Sequence, residues 1–266
     1  MVEIIGYILA MIIGVSLGLI GSGGSILTVP LLVYFFGLDA VLATAYSLFI
    51  VGVSSAIGAT RFIIRKQTDL YVAALFAVPS LVAVYLVRRY LVPSLPAELF
   101  TLGDISVSRD TFILVFFALI MLLAATRMIR SGKTEVPAGS ESRKPNILLV
   151  VVEGLIVGSV TGFVGAGGGF LIIPALVLLV GLPMKKAVAT SLLIIAVKSL
   201  FGFIGDVQSH AIDWTFLITL AALASAGIYL GMYLGKKVDG SRLKKGFGYF
   251  VLLMALFMII RESGIV

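Results

Sequence analysis

Apolar residues in this chain run on in long blocks separated by brief charged patches. Ten blocks can be read, at about 4–20, 26–37, 40–60, 70–92, 112–130, 147–163, 170–181, 184–204, 214–235 and 246–261. Most approach the ~20 apolar residues that an α-helix needs to cross a ~30 Å hydrocarbon core. A spanning segment must satisfy its own backbone donors and acceptors, so runs of this kind predict helices. The pattern therefore predicts an all-α, polytopic membrane protein. The stretch from Ser131 to Asn146 is rich in Gly, Ser, Pro and charge. It divides the chain into a first membrane unit over 1–130, a linker over 131–146 and a second membrane unit over 147–266.

The two units are repeats. Sliding the sequence by 144 positions aligns it from Gly14 and Gly158 without a gap through Asp69 and Asp213, with roughly a third of the window identical. The matches fall on residues that chance does not favour in apolar sequence. They include Gly14 with Gly158, Gly18 with Gly162, Gly21 with Gly165, Gly23 with Gly167, Gly24 with Gly168, Pro30 with Pro174, Gly37 with Gly181, Ser47 with Ser191, Ser55 with Ser199 and Gly58 with Gly202. Each repeat holds five segments, the second only about 12 residues long, roughly 18 Å as a helix. The first two segments of each repeat are short or re-entrant around a Gly-rich turn, or both cross; the crossings per repeat are then three or five. Both counts are odd, which turns the second repeat upside down in the bilayer, the inverted-topology plan of many secondary carriers.

Basic residues test that plan separately. With the halves inverted, Arg61, Arg65, Lys66, Arg127, Arg130, Lys133, Arg143, Lys144, Lys185, Lys186, Lys236, Lys237, Arg242, Lys244 and Lys245 share one face. Arg88, Arg89, Arg109 and Arg261 take the other, and Lys198 stays inside. Cytoplasmic loops collect Lys and Arg, so the richer face, with the linker, belongs in the cytoplasm of a bacterial or archaeal cell and both termini outside.

Composition narrows the classes. With 60% apolar residues, 12% charged and a mean hydropathy of +1.18, a soluble domain with one anchor is excluded. The net charge of +7 reads as topology, not as affinity for nucleic acid. Zero cysteines and a single histidine, His210, leave no basis for a disulfide, a metal centre or an iron–sulfur cluster, so no cofactor is expected. Nothing resembles a phosphate-binding loop, a nucleophile elbow or paired catalytic carboxylates, and the chain does not read as an enzyme. Glu3 stands where a cleavable signal peptide would carry basic residues.

Chemistry gathers at two places. The first is the duplicated turn, Gly21-Ser22-Gly23-Gly24-Ser25 and Gly165-Ala166-Gly167-Gly168-Gly169, each where one apolar segment gives way to another. Non-helical backbone at membrane depth is tolerated only inside protein or along a cavity. The helix that follows offers free N–H groups and about half a positive charge, which suits an anion; close helix packing is the competing use of such glycines. The second place is Lys198, deep in the eighth segment, where a lysine costs on the order of 2.5–3.5 kcal/mol even on the milder insertion scale. It binds an anion between the repeats, pairs with a carboxylate such as Asp206 or Glu153, or snorkels toward the interface. Its repeat mate is Ser54, so no symmetric structural need asks for the charge.

Hydroxyls on the third and eighth segments add donors. Ser47, Ser55, Ser191 and Ser199 hold aligned positions, with Thr44, Tyr46, Ser54, Thr60 and Thr190 in the same segments; interhelical bonding is the ordinary use of any one of them. Asp69 and Asp213, aligned at loop-to-helix junctions, read as N-caps. Asp206 and His210 read as residues of an outer loop that could serve proton coupling or gating. The loop from Val92 to Asp110 has no counterpart in the second half and reads as a small outer cap.

The duplicated Gly-x-Gly-Gly turns, each followed by a proline (Pro30, Pro174), the stretches Ala45–Leu48 and Ala189–Leu192, and Lys198-Ser199-Leu200-Phe201-Gly202-Phe203 resemble the TauE/SafE sulfite exporter family over nearly the whole chain. The resemblance implies transport of sulfite, sulfonates or other small organosulfur anions. Joined to the reading of the residues, the expectation is a secondary transporter that works by alternating access. The anion is expected at Gly21, Ser22, Gly23, Gly24, Ser25, Ser47, Ser55, Gly165, Gly167, Gly168, Gly169, Ser191, Lys198 and Ser199. Its partners are that anion, membrane lipid, a coupling ion (proton or sodium) and further copies of the chain in a homo-oligomer. A carrier for another small anion such as a carboxylate, or an anion channel, are the alternatives.

Overall fold

A computed structural model of the chain describes residues 2–20, 22–102, 105–130, 147–178, 180–207, 211–234 and 240–262. All ten apolar runs are helices, five on either side of the 131–146 stretch, which lies outside the described residues. The first half holds α1 (Val2–Ile20), α2 (Thr28–Phe36), α3 (Ala40–Ile64), α4 (Leu70–Ser94) and α5 (Arg109–Arg130). The second holds α6 (Ile147–Val164), α7 (Gly169–Leu178), α8 (Met184–Val207), α9 (Trp214–Leu234) and α10 (Gly240–Glu262). Among the described residues, α3, α4, α5, α6, α8 and α9 are long and apolar enough to cross a membrane. At 19 and 18 residues, α1 and α6 reach roughly 27–29 Å, with the apolar stretch of α1 limited to Ile5–Leu19, while α2 and α7 have only 9 and 10 residues. The short second segment of each repeat is thus α2 in the first half and α7 in the second.

Local signals explain where the helices begin and end. Asp39, Asp69 and Asp213 each accept a hydrogen bond at Oδ1 from the N–H three residues on, at 2.8, 3.1 and 3.0 Å, and so cap α3, α4 and α9. Gly37 and Gly181 close α2 and α7 at φ 67° and 73°, a left-handed conformation that favours glycine. The expected outer loop is partly ordered. The helix α4 runs on to Ser94 through a π turn at Val87–Leu91, and β1 (Glu98–Leu102) pairs antiparallel with β2 (Ile105–Ser108). This hairpin is the β structure among the described residues.

The offset of 144 residues recurs in the packing. Helix α1 packs on α9 as α6 packs on α4, α3 on α9 as α8 on α4, and α3 with α8 and α5 with α10 each join a pair of mates. Glycines set these distances, because lipid gives helices little apolar reason to associate and close backbone approach must supply the attraction. A Cβ at Gly14 or Gly18 would overlap the α9 backbone at Ala224 and Ile228; at their mates Gly158 and Gly162 it would meet the α4 backbone at Ser80 and Val84. The Asp69 N–H donates to Thr190 Oγ1 at 3.0 Å, and the Asp213 N–H donates to Tyr46 Oη at 2.7 Å. In every case the partners also differ by 144. Along α3 and α8, Leu48 lies beside Gly202, Gly52 beside Leu200 and Gly58 beside Leu192, so these two mates run antiparallel.

Candidate functional site

The centre of the site is built where α6 gives way to α7. Gly165, Gly167 and Gly168 have φ of 74°, 64° and 70°, values that a side chain strongly disfavours, and they reverse the chain between Val164 and Gly169. The N–H groups of Leu171 and Ile172 both donate to Gly168 O, at 3.0 and 3.1 Å, which starts α7. Into this turn reaches Lys198 from α8, wholly buried. Its Nζ donates to Thr161 Oγ1 at 2.5 Å and would stand 2.9 Å from a Cβ at Gly168. Among the described residues no carboxylate forms an ion pair with it.

The first glycine turn has a different shape. Ser22–Leu27 form a 3₁₀ helix, while Gly21 lies outside the described residues. Gly24 packs on Ser16 and Leu17 of α1 as its mate Gly168 packs on Thr161 of α6. The two turns meet at buried Ser25, whose Cβ would lie 3.3 Å from a Cβ at Gly167, with Val51 and Ile195 alongside. Ser47, Ser55, Ser191 and Ser199 are all buried on α3 and α8. The hydroxyls of Ser47, Ser55 and Ser199 have no hydrogen-bond partner among the described residues, and Ser191 donates to Val188 O at 2.9 Å. Ser199 neighbours Lys198 in sequence; the described contacts of Lys198 and Gly168 do not reach Ser47, Ser55 or Ser191.

Two expectations are corrected by a buried ion pair. Arg88 does not stand on the outer face but is 0% exposed, and Asp206 belongs to α8, 1% exposed, not to a loop. Arg88 Nη1 lies 3.5 Å from Asp206 Oδ2 and donates to Thr44 Oγ1 at 3.0 Å. Asp206 is thus paired with Arg88 instead of Lys198. Thr44 abuts Gly165, so this pair and Lys198 flank the same turn. His210 lies outside the described residues.

Thr161 escapes the sequence reading, Thr44 reads as one hydroxyl among several and Arg88 as a residue of the outer face, yet a signal for all three exists. Their repeat mates are Leu17, Val188 and Met232, and those of Lys198 and Asp206 are Ser54 and Phe62. Ser54 donates to Ile50 O and Val51 O on its own helix, at 2.7 and 3.2 Å, and carries no charge. Each polar group of the cluster therefore stands where the other repeat has an apolar or self-satisfied residue. A cavity of about 380 Å³ lined by Tyr7, Phe36, Leu42, Tyr46, Asp213 and Phe216 does not include Lys198, which is wholly buried. No group of three or more His, Cys, Asp or Glu able to hold a metal occurs among the described residues.

Residues 6–258 match the description "Sulfite exporter TauE/SafE". The chain belongs to this family. TauE/SafE-like relatives include a probable membrane transporter protein of Xylella fastidiosa, 27% identical over 258 residues that cover 94% of this chain and 92% of the relative. Another is the probable membrane transporter protein YunE of Bacillus subtilis, 26% identical over 252 residues, 87% of this chain and 88% of the relative. A third, from Methanocaldococcus jannaschii, is 32% identical over 116 residues, 41% of this chain and 43% of the relative. No solved structure matches the chain. With six apolar spans among its described residues, this TauE/SafE protein is a multi-pass membrane transporter.

Proposed function

We propose that this protein is a secondary carrier that moves a small oxyanion, sulfite or a related sulfonate, across the cytoplasmic membrane by alternating access of two inverted repeats. The observation that carries the reading is the ammonium of Lys198: buried, bonded to Thr161, seated against Gly168 and without a carboxylate partner. An ammonium has three donors and Thr161 takes one, which leaves two for an anion. The start of α7 adds about half a positive charge beside it. An anion gains from both, and a cation is repelled. The antiparallel course of α3 and α8, the two central mates, supports inversion, and with the basic-residue count it supports termini outside the cell.

The test is flux into proteoliposomes, with radiolabelled sulfite, methanesulfonate and acetate compared. Saturable uptake of the sulfur oxyanions that Lys198→Met abolishes is the expected result. Transport of acetate alone reassigns the substrate class, single-channel currents replace the carrier by a channel, and flux untouched by Lys198→Met removes the lysine from the site.

A further inference from the structure

Arg88 is the second buried cation among the described residues, and the carrier site as proposed makes no use of it. Both of its described contacts fall on one nitrogen, Nη1, which meets Asp206 Oδ2 at 3.5 Å and Thr44 Oγ1 at 3.0 Å. Nε and Nη2 have no hydrogen-bond partner among the described residues, although the side chain is 0% exposed. These two nitrogens form one edge of the planar guanidinium, and their N–H bonds point the same way. That edge grips two oxygens of a single oxyanion, which an ammonium cannot do.

The surroundings hold the edge in place. Arg88 lies in the π turn Val87–Leu91, a local widening frequent at functional sites. Gly205 lets α8 come close, since a Cβ there would lie 3.1 Å from Arg88 Cβ. Thr44 holds Nη1 on one side and abuts Gly165 on the other, while Lys198 abuts Gly168 in the same turn. Asp206 and Lys198 are eight residues apart on α8, a rise of roughly 12 Å.

We infer that the Nε–Nη2 edge of Arg88 is a second oxyanion subsite on the transport path, separate from Lys198, with Asp206 as the carboxylate that opposes occupancy. This rests on the reading of the protein as an anion carrier. Asp206 holds the guanidinium in place and its charge weakens the anion's grip. A transport site needs that compromise, because an ion bound too firmly cannot leave.

The test is calorimetric titration of the purified full chain in detergent with methanesulfonate and, separately, chloride. Arg88→Lys keeps the charge and loses the two-pronged edge; it should weaken methanesulfonate about tenfold and leave chloride unchanged. Asp206→Asn should tighten methanesulfonate several-fold. Lys198→Met should retain a weaker methanesulfonate site that the Arg88→Lys, Lys198→Met double variant loses. If Arg88→Lys and Asp206→Asn lower thermal stability while anion affinity stays put, the pair is structural and the subsite does not exist. Should Arg88→Lys fail to fold, Asp206→Asn decides alone, since only competition with the anion predicts tighter binding. A wild-type protein that binds no oxyanion overturns the carrier reading and this one together; binding lost in Lys198→Met but untouched by both other variants overturns the subsite only.

Discussion

Lys198→Met tests the central lysine through stability, where a functional and a structural lysine predict opposite signs. An ammonium at the middle of a membrane helix costs about 2.5–3.5 kcal/mol, and an interhelical hydrogen bond such as that to Thr161 returns about 1–2 kcal/mol. With no carboxylate among the described residues to offset the remainder, the empty protein carries a net cost of about 0.5–2.5 kcal/mol at this position. Methionine has a similar length and an adaptable, uncharged side chain. The Thr161 hydroxyl that it abandons can turn to Gly158 O, already 3.4 Å away on its own helix. The variant should therefore unfold at a higher temperature, by a few degrees at roughly 2–4 °C per kcal/mol. Intrinsic fluorescence of the detergent-solubilised protein during heating, with and without sulfite, measures both parts of the claim. A midpoint that falls, or a variant that sulfite stabilises as much as it does the Lys198 protein, refutes the reasoning.

Other outcomes follow from the repeated packing. Thr161→Val takes the only described partner from the ammonium and should lower the midpoint in the Lys198 protein, yet do nearly nothing in Lys198→Met, a non-additivity that a thermal double-mutant cycle reads. Gly14→Leu and Gly158→Leu each force a side chain into the facing backbone; each should cost about 1–3 kcal/mol or more, seen as loss of monodisperse protein on size exclusion, and mates should suffer alike. Asp69→Ala and Asp213→Ala should each cost about 1 kcal/mol through a lost N-cap and should add, as thermal unfolding of the single and double variants can check. Because the chain has no cysteine, Gln67→Cys and Ala211→Cys introduce single labels at exposed mates in the α3–α4 and α8–α9 connections. In right-side-out vesicles an impermeant maleimide should reach the second but not the first; labelling of both from one side ends the inverted arrangement.

The ten helices, the N-caps and the 144-residue offset were legible because each rests on a local signal: a long apolar run, an aspartate before it, a glycine at a fixed place. The meeting of Lys198 with the second glycine turn was legible too, since a lysine inside a membrane must find something polar. Arg88 was not. Next to Arg89 near the end of an apolar run it reads as an interfacial anchor, and the π turn, which adds a residue to the helical circuit, decides that Arg88 faces inward while Arg89 is only half-buried. Asp206 hid for the same reason, a charge near the end of a run. A lone threonine such as Thr161 is unremarkable in an apolar helix until it is compared with Leu17, and comparison with Val188 is what separates Thr44 from the other hydroxyls of its segment.

That unevenness between mates bears on energetics. Were the halves identical, trading their conformations would convert an inward-open carrier into an outward-open one, and the two states would be isoenergetic. Thr44, Arg88, Thr161, Lys198 and Asp206 have no polar equivalents across the pseudo-symmetry except Ser54, so in the proposed carrier these side chains are among those that lift the degeneracy. If the protein alternates as proposed, a substitution at any one of these positions shifts the side of the membrane that the resting carrier faces.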